Sequence, residues 1–549
     1  MMRDIILVFL AMHVFANGNT QNTVGLLTYD AERTGEGYNL FYPNNQNKLF
    51  LIDNCGRLVH SWTDTNETSF PGTVASLLPD GNLLRSKTSS EIAGSTFGAG
   101  GAGGIIEILD WDSNVVWKRI IADTFQRQHH EVYPMPNGNV LCIVWERHGW
   151  EEIVENGFDT ISNQMDELWS DAIFEINPEL DSIVWEWHAW DHLIQDFDST
   201  KLNYGVVAEH TERIDINYQE HTFGRRDWLH SNALDYNPHL DQIMLTVRNF
   251  HEIWIIDHST NINEAASSAG GLSKKGGDLL FRWGNPNSYA SGTSEDHKLF
   301  FMHDGQWIDN PDSEFDGDVM VYNNMIELDL SLGEIFEPIW NPTEFKYELD
   351  EGIYLPKNFT RDISHPDTLK NYSTSASNIQ FLPNGNFLMC AARQGFAFEL
   401  TPDEEVVWEY KVPFKFGLPV PQGLALNLSD NFTNQLRRYH PDFPGFLDKD
   451  LTPKDFLESN PNTDFCPSVS SAYLDHSRFN LSVYPNPVSN VLYIESDVLI
   501  ENACVLNIYG NVVLQMKFEP GINQVSVNNL SPGIYFVKTL DYIQKIIKE

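Results

Sequence analysis

The stretch AIFEINPELDSIVWEW, Ala172 to Trp187, alternates apolar and polar residues, breaks at Asn-Pro, and alternates again until it closes on tryptophan. A period of two on both sides of a polar break predicts a hairpin with one apolar face per strand. The phrase returns five times. LFLIDNCGRLVHSW ends at Trp62, GIIEILDWDSNVVW at Trp117, EIWIIDHS with GDLLFRW at Trp283, and MIELDLSLGEIFEPIW at Trp340, while FAFELTPDEEVVWEY carries Trp408. A second phrase stands ahead of several copies: LLPDGNLLRS at 77–86, PMPNGNVLCIVW at 134–145 and FLPNGNFLMCAA at 381–392, with divergent copies at 235–249 and 314–324. Its Asp-Gly or Asn-Gly marks a tight turn. Two hairpins make a four-stranded unit, and six units in one chain predict an all-β fold, a six-bladed β-propeller. Solenoid repeats are shorter, and an array of sandwiches does not repeat one phrase.

The chain has 549 residues and a formal net charge of −42, from 77 acidic and 35 basic side chains. Such a surface repels nucleic acid and anionic membranes, so nucleic acid is not an expected partner. The acids are spread along the chain and show no EF-hand spacing. The opening MMRDIILVFLAMHVFANG has one Arg, a short apolar run and a small-residue site at Ala16. That pattern predicts a secretory leader over residues 1–16. No later run reaches the ~20 apolar residues of a transmembrane segment. Five cysteines, Cys55, Cys142, Cys390, Cys466 and Cys504, lie far apart without a CxxC pair. One bridge formed after export and buried free thiols fit them equally.

The tail is written differently. From residue 479 it reads as short strands with Pro, Gly and Asn turns and lacks the tryptophan phrase, which predicts a separate small β-sandwich over 479–549. A Pro/Asp/Asn-rich linker at 441–478 precedes it, leaving 17–440 to the propeller. Tyr484-Pro485-Asn486-Pro487, Tyr509-Gly510-Asn511, Leu530 to Tyr535 and the Lys-rich end resemble the C-terminal sorting domain of the type IX secretion system. The resemblance implies the type IX machinery as a partner, an outer-membrane route, and a cell-surface or secreted destination.

Polar residues stand just ahead of each first hairpin. These are His129 and His130 in QHHEV, His230 and Asn232 in DWLHSNAL, His303 in FMHDGQ, Ser375 and Ser377 in YSTSASNIQ, and Thr73 in FPGTVAS. Matching places in a repeat converge on one mouth of a propeller. Three histidines suit a metal ion. With Arg248 in LTVRNF, and only Glu131 and Asp304 as neighbouring carboxylates, they suit a tetrahedral oxyanion better. No metal ligand set and no cofactor is expected. His188 and His192, in WEWHAWDHL, are read as a lid or as structural, and Trp187, Trp190, Trp228 and Trp307 as aryl platforms or packing residues.

The order His130, His230 with Asn232, Arg248, then His303 resembles the PAPS-independent arylsulfate sulfotransferases, a six-bladed propeller family, over residues 25–420. The resemblance implies a small aryl sulfate donor, a phenolic acceptor and a sulfohistidine intermediate on His303. Arg248, Asn232 and His230 would stabilise the transferring group, and His130 or His230 would move the proton. His129, Ser375, Ser377 and His192 remain secondary substrate-binding candidates. Two alternatives stay open: a metal-dependent hydrolase or lyase, and a non-catalytic surface module that binds a glycan or a protein.

Overall fold

The computed structural model describes residues 22–549 apart from 65–68, 90–91, 93–96, 164, 220–225, 463–465, 467–480, 497–498, 508–511 and 540–542. The expected leader, part of the expected linker and the Tyr509–Asn511 turn therefore lie outside the described residues. The rest is all-β, built from small antiparallel sheets.

Six sheets follow in chain order. Sheet 1 holds Phe70–Leu77, Leu83–Thr88, Ile105–Leu109 and Val115–Ile120. Sheet 2 holds Gln126–Pro134, Val140–Gly149, Glu167–Asn177 and Ser182–His188. Sheet 3 holds Ser231–Asn237, Gln242–Val247, Glu252–Asp257 and Phe281–Trp283. Sheet 4 holds His303–Trp307, Val319–Glu327, Leu330–Phe336 and Arg361–Ile363. Sheet 5 holds Asn378–Phe381, Phe387–Ala391, Phe396–Leu400 and Val406–Lys411, with Gly25–Tyr29 added at its edge. Sheet 6 joins a late strand, Thr433–Tyr439, to three early ones, Tyr38–Pro43, Lys48–Asp53 and Leu58–Thr63.

The first strands of sheets 1 to 5 and the strand Thr433–Tyr439 contact one another in a closed cycle. Between neighbouring sheets lie six apolar clusters. One example is Ile143, Ile173 and Trp187 against Leu245 and Trp254, between sheets 2 and 3. Another is Leu40 and Trp62 against Leu77 and Leu109, between sheets 6 and 1. Each sheet is thus covered on both faces, which explains why runs such as Leu141–Trp145 are buried at every position. The repeated Asp/Asn-Gly phrase makes the same turn three times. Leu78, Met135 and Leu382 each donate to the carbonyl four residues on, and Gly81, Gly138 and Gly385 sit at φ near +85°.

The fifth tryptophan phrase is displaced by one strand. Elsewhere the phrase forms the third and fourth strands of a sheet, but in 325–340 it forms the end of the second and all of the third. Trp340 leaves the sheet and pairs with Tyr347 in a small inserted hairpin. Arg361–Ile363 supplies the fourth strand instead.

Cys55 and Cys466 form a disulfide, while Cys142 and Cys390 are buried free thiols. The segment leading to Cys466 lies along sheet 6, where Leu58 exchanges backbone hydrogen bonds with Lys454 and Asp455. The C-terminal region forms two sheets. Leu481–Tyr484, Val491–Ser496 and Gly521–Ser526 make one, and Val512–Phe518, Ile500–Leu506, Gly533–Lys538 and Ile543–Lys548 the other. Both contribute to a single core that includes Leu492, Val505, Phe518 and Val537. No helix among the described residues is long and apolar enough to cross a membrane.

The closing strand carries its weight through Leu436, fully buried against Phe41, Trp408 and Leu388. Leu436→Ala should cost ~2–5 kcal/mol, read as a lowered denaturant midpoint. Leu428→Ala, at an exposed position, should change stability by no more than about 0.5 kcal/mol.

Candidate active site

A β-bulge or register shift interrupts the pairing of the first strand in five of the sheets. His129 and Val132 face Ile143 and Cys142, so His130 and Glu131 are extra residues. Ser231 and Ala233 face Val247 and Thr246, leaving Asn232 extra. Sheets 1, 4 and 6 show a similar break, at Pro71/Ala75, His303/Gln306 and Thr433/Leu436. A bulge twists the strand and re-aims its side chains. His130 and His230 also adopt left-handed backbone, with φ of 48° and 53°. Such conformations cost energy and persist only where the surroundings hold them.

The bulges face one cavity of about 1040 Å³, lined by His130, His230, Asn232, Arg248 and His303 together with Ser375, Ala376 and Ser377. The wall opposite includes a glycine-rich loop. A Cβ on Gly101 would lie 2.1 Å from the His130 ring, so only glycine lets this loop close on the histidine. The His130 and His230 rings are 4.7 Å apart, centre to centre. The Arg248 guanidinium lies 4.7 Å over the Phe301 ring.

Each histidine is backed by a different partner. His130 Nδ1 meets His129 Nδ1 at 2.8 Å, and His129 Nε2 meets Asp171 at 3.2 Å. Asp171 also accepts from the Ser231 N–H, which ties sheet 2 to sheet 3. With Asp171 ionised, His129 donates from Nε2 and accepts at Nδ1. His130 then carries its proton on Nδ1 and presents a bare Nε2. His230 Nδ1 is hydrogen-bonded to Asp227, which also accepts from the Trp145 indole. His303 Nδ1 meets Asn324 Oδ1 at 2.7 Å, and His303 Nε2 accepts from the Ala376 N–H at 3.0 Å. Asn232 donates to the Met302 carbonyl, and its own Oδ1 is buried without a partner.

Burial, reinforced by Arg248, pulls His303 down to about 3 despite the hydrogen bond to Asn324. Burial and the surrounding His230, His129, His303 and Arg248 hold His130 well below the ordinary histidine range. Burial pushes the Asp227 carboxyl up, but His230 and the Trp145 N–H outweigh that and keep it low. Three further carboxyls lie nearby around Arg437. Burial raises Glu131 to about 8, Asp235 to about 7 and Asp304 to about 6. Asp304 turns away from His303, accepting from Arg437, Gln306 and the Ile379 N–H.

The cavity thus gathers His130, His230, Asn232, Arg248, His303, Ser375 and Ser377. The Ser377 hydroxyl is occupied by the Ala392 N–H. His129 stands behind His130, stacked on Trp145 at 3.9 Å. His192 is not among the lining residues; it is fully buried between Asp278 and the Ala265 carbonyl. Trp187 and Trp228 are likewise fully buried in the core between sheets 2 and 3. Sequence reasoning passed over Asn324, Asp171, Asp227 and Ala376. Among the described residues no group of three or more His, Cys, Asp or Glu is placed to hold a metal ion.

A family model described as arylsulfotransferase (ASST) matches residues 30–413, and one described as secretion system C-terminal sorting domain matches residues 482–549. No curated protein matches the chain. Among solved structures, the chain is similar to a protein of unknown function from Bacteroides caccae, with a TM-score of 0.39, 10% identity, and 73% of this chain and 98% of that one covered. It is also similar to a streptogramin B lyase, with a TM-score of 0.34, 10% identity, and 76% and 95% coverage. Likenesses this distant carry no argument about chemistry.

A neutral buried histidine leaves a signature in stability. Between its ordinary value of 6.5 and its folded value of about 3, the unfolded chain holds a proton on His303 that the folded chain does not. Stability from this source is therefore lost as pH falls below about 6.5. Taking the protein from pH 7 to pH 5 should cost the wild type ~2 kcal/mol more than His303→Gln, measured by urea denaturation. Equal losses would show that His303 is not held neutral by burial.

Proposed function

We propose, for a chain that belongs to the arylsulfotransferase family, that it transfers a sulfuryl group from an aryl sulfate to a phenol through a sulfohistidine on His303, without PAPS. The cyclic contacts and six intersheet cores support a six-bladed propeller over residues 17–440 as the scaffold. The two-sheet core supports a sandwich over 479–549, behind a linker at 441–478. The sorting-domain match indicates export towards the outer membrane or cell surface, and a leader over 1–16 fits that route.

One observation carries the chemistry: an imidazole kept neutral by burial shares a cavity with Arg248, Asn232 and two further histidines. The Nε2 lone pair of His303 attacks sulfur as the bond from sulfur to the aryl oxygen breaks. Covalent catalysis splits one transfer into two easier ones. Arg248 and the second amide N–H of Asn232 stabilise the spread charge of the moving group. His230, paired with Asp227, gives the leaving phenolate its proton. His130, its Nε2 bare, takes the proton of the incoming phenol. The chain's own −42 charge repels an anionic donor, so capture depends on this local set.

The test is 4-nitrophenyl sulfate with and without phenol, in EDTA and without PAPS, on the full protein. Nitrophenolate release should require the phenol and vanish in His303→Ala. Arg248→Ala should lower kcat on the order of 10²–10³-fold. Chelator-sensitive release would replace this chemistry with that of a metal site. Release without acceptor would make the protein a hydrolase, and none at all would leave a binding module.

A further inference from the structure

The three cavity histidines differ in what stands behind them. Two end on carboxylates: His130 through His129 on Asp171, and His230 directly on Asp227. The third, His303, ends on an amide. Asn324 is fully buried, on the second strand of sheet 4. Its Nδ2 donates to the Ser373 and Ala376 carbonyls, both at 2.9 Å. Those two bonds fix its orientation, so the atom facing His303 Nδ1 at 2.7 Å is Oδ1, an acceptor. The opposite ring nitrogen independently requires the same tautomer, because His303 Nε2 accepts from the Ala376 N–H. One side chain thus holds the histidine from behind and, through its carbonyl, the residue whose N–H stands in front of it. That residue sits in a turn where Ala376 and Ser377 both have positive φ, 53° and 92°, a conformation non-glycine residues adopt only when held.

Building on His303 as the nucleophile, we infer that Asn324 is the positioning residue of the transfer and that the Ala376 N–H is a donor to the sulfuryl group. Asn324 keeps the proton on Nδ1 and the lone pair on Nε2. Before the transfer the Ala376 N–H caps that lone pair. When Nε2 bonds to sulfur, the sulfuryl oxygens occupy the space next to Nε2, and the same N–H then donates to an oxygen.

The chemistry also accounts for an amide in place of a carboxylate. In the first half-reaction the N–S bond forms, the S–O(aryl) bond breaks, and its electron pair leaves on the phenolate, which His230 protonates. The ring retains its Nδ1 proton, so the intermediate is an imidazolium bearing a sulfonate, with no net charge. In the second half-reaction the acceptor oxygen attacks sulfur, His130 takes its proton, and the N–S electron pair returns to Nε2; the proton then passes from His130 to His230, whose ring centre is 4.7 Å away, and both rings are restored. A carboxylate behind Nδ1 would make the resting ring more basic, so that its Nε2 takes up a proton from solvent, and would hold the imidazolium too firmly for the second transfer. A neutral acceptor does neither. The other charged and titratable groups facing the ring are Arg248 and His230 from sheet 3 and His130 from sheet 2, while Asp304 is turned to Arg437.

Two variants in the full protein test this. Asn324→Asp keeps the acceptor, adds a charge and withdraws the donor. The acid limb of its kcat profile should move up by about one pH unit or more, with KM unchanged and activity recovering at alkaline pH. Asn324→Leu should lower kcat on the order of 10²-fold, as expected when a tautomer is lost. Histidine ¹⁵N spectra of the resting protein should show His303 protonated on Nδ1 in the wild type and a tautomer mixture in Asn324→Leu. A wild-type proton on Nε2, or an Asn324→Asp profile that overlays the wild type, would overturn the inference while leaving the sulfuryl transfer standing. Should the wild type itself be inert, the transferase is what fails, and the spectra alone decide whether Asn324 sets the tautomer.

Discussion

The pairing of Thr433–Tyr439 with Tyr38–Pro43 is the interaction on which the other features depend. It joins strands about 400 residues apart within one sheet, and with it the first strands form a closed cycle. The first strand stays at the edge of each sheet, and closure packs these edges against one another, so that they are protected rather than exposed. It also completes the ground beneath the candidate site. Arg437, on the closing strand, reaches Asp304 on sheet 4, and Arg438 beside it is buried against Glu399 of sheet 5. Both pairs hold distant parts of the chain to this strand, and breaking a buried pair is strongly destabilising because one charge is left without its partner.

Given the cycle, the bulges decide what the mouth displays. A regular strand sends alternate side chains to opposite faces, so neighbours such as His130 and Glu131 would both pack between sheets or point away from each other. The extra residues and the left-handed backbone at His130 and His230 turn the rings into one cavity and leave Asp171, Asp227 and His129 behind them. The energetic cost of these conformations is carried by the intersheet cores, which do not depend on the polar residues at the strand ends.

Much of this was legible in the chain. The tryptophan phrase and the Asp/Asn-Gly turns report an apolar period of two, and this survives in Trp62, Trp185, Trp283 and Trp408, all buried on a fourth strand. Trp340 shows the limit: an insertion between strands broke the phase, and apolar alternation alone does not say which strand of a sheet it belongs to. The closing strand was not legible, because TNQLRRY is polar by composition; Arg438 is buried and Arg437 partly buried, each met by a carboxylate from elsewhere in the chain. The candidate histidines were found because they stand at matching places in a repeat. Asn324 carried no such mark. It lies at the end of an apolar strand, and its importance comes from three hydrogen bonds to residues 21, 49 and 52 positions away.

The electrostatics of the site run against those of the molecule. A net charge of −42 favours protonation of histidine everywhere on the surface, yet His303 and His130 are held neutral. Distance resolves the contrast. Surface charges are screened over about 8–10 Å at ordinary salt, whereas burial and Arg248 act on the rings through protein rather than water. Within that envelope, charge is assigned histidine by histidine. A carboxylate, Asp227, backs His230 directly, while His130 meets the His129 ring. An amide, Asn324, backs His303. In the transfer proposed above, that difference would separate a proton carrier from a nucleophile: Asp227 stands directly behind His230, Asp171 behind His130 through His129, and Asn324 behind His303.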